Sequence, residues 1–208
     1  MLKHESISDI LTIDGGEIFS KIFKNKSLSE LSKFIIEVSE NYEVYGYESS
    51  EKLRGDLFEI FIEAFIKLNS NDNRIGIFKY EPITSDLDNG VDGIGKHTDG
   101  NICTIQIKFR SNPTYELVSN DIKQFPFQSI ALYGVDYTTD KYMVVITNCK
   151  GLHWHTLNNV LLKRVRTINF DLISSLIDNN KAFWENAERL IIETIKSFGV
   201  EDYLNFFK

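Results

Sequence analysis

"GVDGIGKHTDGNICTIQIKFR", residues 90–110, reads as two short strands around a turn. In the second strand Cys103, Ile105, Ile107 and Phe109 fall on one side, and Thr104, Gln106, Lys108 and Arg110 on the other. That is the period-2 alternation of a strand with one apolar and one polar face. The turn allows two registers. A two-residue turn at Asp99-Gly100 would set Asp92 opposite Ile107, on the apolar face. A three-residue loop, Thr98-Asp99-Gly100 with Gly100 left-handed, sets Asp92 opposite Gln106 instead. Burying a lone carboxylate costs several kcal/mol, so the second register is expected. The choice matters because a one-residue slip turns every side chain over.

The expected register gathers Asp92, Gln106 and Lys108 on one face, and Gly93 and Gly95 leave room for a close approach to the backbone. One reading is the wet side of an ordinary sheet. The other is a site for hydrolysing a phosphodiester, which needs charge neutralisation on the phosphate and an activated water. Asp92, the Gln106 side-chain carbonyl and the Ile107 main-chain carbonyl are oxygen ligands suited to Mg²⁺, with Mn²⁺ as the alternative ion. Lys108 would stabilise developing charge or orient the water. A further carboxylate is available on "GDLFEIFIEAFIKLN", about 56–69, whose polar stripe is Glu59, Glu63 and Lys67. Glu63 and Lys67 are expected to form a surface ion pair, leaving Glu59 to face the cluster.

Outward from the hairpin, the pattern is helix, strand, hairpin, helix, strand, helices. Ser27 with Glu30 forms a capping-box signal for a helix over about 28–40. The nearly all-apolar helix at 56–69 is of the type buried on much of its surface. "RIGIFKYEP" predicts a strand ended by Pro82, followed by a polar loop through Asn89. A helical stretch near 119–132 must kink or break at Pro126. "KYMVVITNC", 141–149, is a strand of central type, and "LHWHTL" would continue as another. The tail "KAFWENAERLIIETIKSFG" is an amphipathic helix stopping at Gly199. The expected class is mixed α/β: a small mixed sheet flanked by helices. The 208 residues read as a single domain, with a core over about 50–165 and helical extensions at 1–49 and 166–208.

Composition excludes several classes. No apolar run reaches the roughly 20 residues that span a bilayer, and "MLKHESISDI" lacks a signal-peptide core, so an intracellular, cytoplasmic protein is expected. Cys103 and Cys149 have no zinc-type spacing, and Cys103 is expected as a buried free thiol. Net charge is −7, yet Lys150, Lys163, Arg164 and Arg166 stand in a stretch without acids, and Arg110 follows the hairpin. Such a strip can hold a phosphate backbone, or be simply solvated. Cys149, His153 and His155 form a weaker candidate for a transition metal, short of the four ligands a structural site needs. His97, in the turn, is expected to be exposed.

The segments "GVDGIG" and "IQIKFR", with "DIKQF" and "YMVVITN" after them, resemble the PD-(D/E)xK nuclease superfamily, most nearly its Mrr-like branch as found before some phage and plasmid helicases. The resemblance covers about residues 50–150. It implies a restriction-endonuclease-like core and Mg²⁺-dependent cleavage of DNA by a restriction or homing type of enzyme, or by the nuclease part of a larger viral or mobile-element protein. Asp92, Gln106 and Lys108 would be its motif residues, with Glu59 as the glutamate of the preceding helix. It also implies DNA as partner, held by Arg110, Lys163, Arg164 and Arg166, and a homodimer or a fused or associated helicase. Glutamine stands where the family usually has an acid, and Val91 stands where the name-giving proline would be. These departures keep a second reading: a non-catalytic DNA-binding module on the same fold.

Overall fold

The register expected for the hairpin is the one found. In the computed structural model, which describes residues 1–14, 16–83, 90–199 and 207, strand β2 (Gly93–His97) pairs antiparallel with β3 (Ile102–Lys108). Gly93 lies opposite Ile105 and Gly95 opposite Cys103. The loop closes through His97 N–H to the Asn101 carbonyl, and Gly100 is left-handed at φ 89°. The polar loop expected before Gly90 falls largely on 84–89, outside the described residues.

The hairpin is part of a five-stranded mixed sheet. β1 (Ile77–Pro82), β5 (Met143–Thr147) and β7 (Val165–Ile168) complete it in the order β1-β2-β3-β5-β7. β1, β2 and β3 are antiparallel; β3, β5 and β7 run parallel. All five residues of β5 are buried, as its unbroken apolar run requires of a strand flanked on both sides. A small second sheet joins β4 (Glu116–Leu117) to β6 (Gly151–Leu152). The expected break near Pro126 is present: α5 (Ser119–Ile122) stops, and α6 (Phe125–Tyr133) starts with the proline in its first turn, where a missing N–H costs nothing.

The polar face of β3 is not wet. Thr104 is fully buried, and its hydroxyl donates to Ser129 Oγ on α6 at 2.8 Å. Gln106 is 3% exposed. The close approach offered by Gly93 and Gly95 is taken by the protein itself. A Cβ at Gly93 would strike the Tyr80 ring, and one at Gly95 would come within 2.9 Å of Ile77 Cγ2. β1 carries a bulge between Phe78 and Glu81, with Lys79 left-handed at φ 52°.

The residue contacts fall into two compact units. Residues 69–173 form the sheet unit, and 1–68 with 174–208 form a helical one. The expected core at 50–165 is therefore divided, because helix α4 (Ser50–Leu68) groups with the other helices. Those include α1 (Ser6–Asp14), α2 (Glu17–Ile22), α3 (Leu28–Ser39) and α8 (Lys181–Ser197). The Ser27 hydroxyl caps α3 by accepting from Glu30 N–H, and Gly199, at φ 72°, ends the tail as the sequence suggests. Helix α7 (Phe170–Ile177) spans the point where the chain passes between the units. Phe58, Phe61, Phe65, Phe183 and Trp184 stack into the helical core. Among the described residues no helix is long and apolar enough to cross a membrane.

Candidate functional site

Strand alternation sends Thr104, Gln106 and Lys108 to one face of β3. Thr104 is sealed under α6, Gln106 lies deep, and Lys108 is half-buried at the strand end. Beyond Thr104 the face opens into a cavity of about 330 Å³ lined by Gly90, Gln106, Lys108, Asn120, Asp121, Ile122, Lys123 and Gln124. Gln106 Oε1 is buried and, among the described residues, has no hydrogen-bond partner. A buried acceptor left unpaired costs about 1–3 kcal/mol, so this oxygen asks for a donor or a cation.

Asp92 stands just before β2, one residue beyond the last pair of the ladder, Gly93 with Ile105. Its N–H donates to the Ile105 carbonyl at 2.9 Å, and its carboxylate Oδ2 accepts from the Ile107 N–H at 2.5 Å. The side chain thus closes the end of the β2–β3 ladder. A residue's N–H and C=O leave an antiparallel strand toward the same neighbour, so the Ile107 carbonyl faces the Asp92 side too. Asp92 itself is not part of the cavity wall.

The far wall is held by a small network. Asp121 accepts from Arg110 Nη2 at 2.7 Å, from Val118 N–H at 2.7 Å and from the Tyr115 hydroxyl at 3.3 Å. The Arg110 guanidinium also lies over the Tyr115 ring. Asn148, at the end of β5, accepts from Arg110 N–H at 2.7 Å and donates to its carbonyl at 2.8 Å. Thr147 Oγ1 donates to the Lys108 carbonyl. The chain after Lys108 is therefore fixed on both sides, and Arg110, read from sequence as a nucleic-acid contact, is engaged in holding α5. Asn120, Lys123 and Gln124 were not singled out in the sequence, although "DIKQF" contains the latter two.

Gly90 closes the cavity's near side. At φ 81° it adopts a conformation that disfavours a side chain. A Cβ there would lie 3.5 Å from Gln106 Nε2 and 3.8 Å from Gln124 Cβ.

The remaining sequence candidates are placed as follows. Arg166 donates to the Arg74 and Ile75 carbonyls at 2.9 and 2.7 Å, and burial lowers its pKa, so its guanidinium supports the loop before β1. Lys163 and Arg164 lie in a 3₁₀ turn, Leu162–Arg164, with Lys163 exposed. Glu59 belongs to the helical unit, where its carboxylate meets His4 Nε2 at 3.1 Å. The expected Glu63–Lys67 pair forms at 2.5 Å, but not at the surface. Glu63 is fully buried and also accepts from the Lys3 and His4 N–H groups.

"LHWHTL" does not continue as a strand: after two residues of β6 it turns into a 3₁₀ segment, Trp154–Asn158. Cys149 is buried with Sγ against Thr147 Oγ1, and among the described residues no group of three His, Cys, Asp or Glu is placed to hold a metal. His97 is not simply exposed. It lies 3.0 Å from Asp99 and packs edge-on against Tyr142. Cys103 is the buried free thiol expected, its pKa pushed up to about 12 by burial.

The cavity thus offers a buried carbonyl oxygen, two amides and two lysines around one space, with a carboxylate and a main-chain carbonyl at the adjoining ladder end. That set can take an anion between its lysines and a cation at its oxygens. No protein-family model matches this chain, and neither a curated protein nor a solved structure does.

Proposed function

We propose that the sheet unit is a Mg²⁺-dependent deoxyribonuclease that hydrolyses DNA phosphodiester bonds as an endonuclease, in the manner of the PD-(D/E)xK superfamily. The observation that carries this reading is Gln106, whose side chain lines a polar cavity with Lys108 and whose buried Oε1 has no hydrogen-bond partner among the described residues. An ordinary sheet face has no reason to bury an amide oxygen without a partner. Asp92, Gln106 Oε1 and the Ile107 carbonyl would hold the ion. When bound, Mg²⁺ or Mn²⁺ supplies charge neutralisation on the phosphate and lowers the pKa of a bound water.

The chain's own residues do the rest. Lys108 places a cation beside the amide, where charge builds up on the phosphoryl oxygens. Lys123 on the opposite wall binds a non-bridging oxygen, and Asn120 and Gln124 donate to the backbone of the same strand. Arg110 and Asp121 position that wall. Glu59, engaged by His4, has no part in this scheme.

One observation favours the second reading, a DNA-binding module without catalysis. Asp92, the carboxylate proposed for the ion, already accepts a main-chain N–H. The two separate cleanly in an assay of supercoiled plasmid with Mg²⁺, Mn²⁺ or EDTA. Asp92→Asn, which keeps an acceptor for the Ile107 N–H, and Lys108→Ala are compared with the parent chain. Metal-dependent cutting lost in both folded variants is the expected result. DNA binding without cutting, or cutting equal in all three proteins, would leave the binding module.

A further inference from the structure

We infer that the surface around residues 153–164 binds single-stranded nucleic acid, with an unpaired base stacked on Trp154. The two tryptophans of the chain have opposite environments. Trp184 is 5% exposed, its Nε1 donates to the Ile177 carbonyl, and aromatic rings surround it. Trp154 is 62% exposed. Its indole stacks on the His155 ring at a centroid separation of 3.3 Å, and the His153 ring lies to the side of the pair, 5.2 Å from His155 and 5.7 Å from Trp154. One face of the indole is thereby backed and the other is left for a ligand. A 3₁₀ turn repeats every three residues, which aligns Trp154 with Leu157, also exposed.

An exposed apolar and aromatic strip could equally dock a protein, and charge decides between the two. Lys150 and Lys163 are exposed and Arg164 half-buried beside this segment, and no acid occurs between Lys150 and Arg166. The carboxylate that approaches it is that of Glu116, 3.7 Å from His153 Nε2. Cations flanking the stacked rings in the chain, in a protein of net charge −7, fit a polyanion carrying flat bases. Aromatic faces accept any base, and lysines follow the phosphates.

The placement gives the surface a purpose. His153 N–H donates to the Leu117 carbonyl at 2.9 Å, and Thr156 Oγ1 donates to the same oxygen at 3.3 Å. β4 and β6 pair through Glu116 with Gly151 and Leu117 with Leu152. Helix α5 begins at Ser119, directly after this ribbon, and it carries the wall of the Gln106–Lys108 cavity. The stacking surface and the cavity wall are therefore mounted on one ribbon, so a strand held at Trp154 is fixed relative to the cavity. The inference rests on the reading that the protein handles DNA, but not on that DNA being cut.

The test uses the full chain in EDTA. Tryptophan emission is followed while oligo-dT of roughly ten nucleotides, or a duplex of the same length, is added. Binding of a labelled oligo-dT to variants is read by anisotropy. The expected result is quenching by the single strand, reversed by salt, with little from the duplex. Trp154→Ala weakens binding roughly tenfold, the equivalent of about 1.4 kcal/mol of stacking, and Trp154→Phe recovers most of it. Lys150→Ala with Lys163→Ala lowers the salt slope by roughly 1.4, at about 0.7 per phosphate contact.

Absent quenching, equal quenching by duplex, or unchanged binding by Trp154→Ala overturns the site. So does an emission change that follows protein concentration instead of oligonucleotide, which marks a contact between copies. Cleavage measured on the same preparations keeps the two proposals apart. Lost strand binding with intact cutting sinks this site alone, and intact binding in EDTA without cutting sinks the nuclease alone.

Discussion

Gln106→Met exchanges a buried amide for an unbranched thioether of nearly the same length. In the parent chain Gln106 is 3% exposed and its Oε1 has no partner among the described residues. Removing an unsatisfied buried acceptor recovers about 1–3 kcal/mol, and a volume-conserving apolar swap costs less than about 1.5 kcal/mol. The variant should therefore be more stable in EDTA by about 1 kcal/mol, a rise of about 4 °C in the unfolding midpoint. Saturating Mg²⁺ should reverse the order. At a hundredfold excess over its dissociation constant an ion stabilises its site by about 2.7 kcal/mol, and only the parent chain keeps the oxygen proposed to bind it. Thermal and urea unfolding by circular dichroism, with and without Mg²⁺, measures both halves, and plasmid cleavage should be lost in the variant. A variant less stable than the parent in EDTA by about 1 kcal/mol or more would refute the argument, since the oxygen would then be satisfied in the folded protein. Parallel stability curves in Mg²⁺ and EDTA would refute the cation site.

Thr104→Val removes the bond to Ser129 Oγ beneath α6 and should cost about 1 kcal/mol; an unchanged urea midpoint would mean that this face of β3 is wet after all. Glu63→Ala leaves Lys67 and the Lys3 and His4 N–H groups without their acceptor, and should cost about 3 kcal/mol, at the lower end for a broken buried pair because Lys67 can reach water. Limited proteolysis of the first residues and a urea titration would both report it. Desolvation works upward on the Asp99 carboxyl, but bonds from Tyr142, the Asn101 N–H and His97 outweigh it and hold the group at about 2, against an ordinary 3.8. A depressed folded pKa contributes stability that is present above the unfolded value and lost as pH falls through the folded one. The difference between the parent and Asp99→Asn should therefore shrink from pH 4 to pH 2, as read from urea midpoints along that range; a constant difference would dissociate the turn from this titration.

The hairpin was legible because one strong cost decided it. A carboxylate at Asp92 had to leave the apolar face, and that alone selected the three-residue loop over the two-residue turn. Helices α3 and α8 were legible from caps and spacing, and β5 from its unbroken apolar run. Alternation along β3 could not tell what lies over each face, because Thr104 and Gln106 look the same in sequence whether water or α6 covers them. The roles of Gly93 and Gly95 were misassigned for a similar reason: Tyr80 and Ile77 on the neighbouring strand fill the space. The 3₁₀ turn at Trp154–Asn158 escaped because apolar and polar residues alternate there too, over too short a run to separate a strand from a turn. Arg110 and Arg166 count as charges in sequence, but both are engaged by the protein's own oxygens.

The irregular outer strand β1 bears on how copies of the chain could assemble. An edge strand normally offers its unpaired N–H and C=O groups as a template for another strand. Here the bulge after Phe78, the left-handed Lys79 and the missing N–H of Pro82 interrupt that row within one six-residue strand. Two copies cannot zip their sheets into one continuous ribbon across this border. Copies that meet along this border would do so through side-chain surfaces, with the two sheets kept separate and neither one's register set by the other.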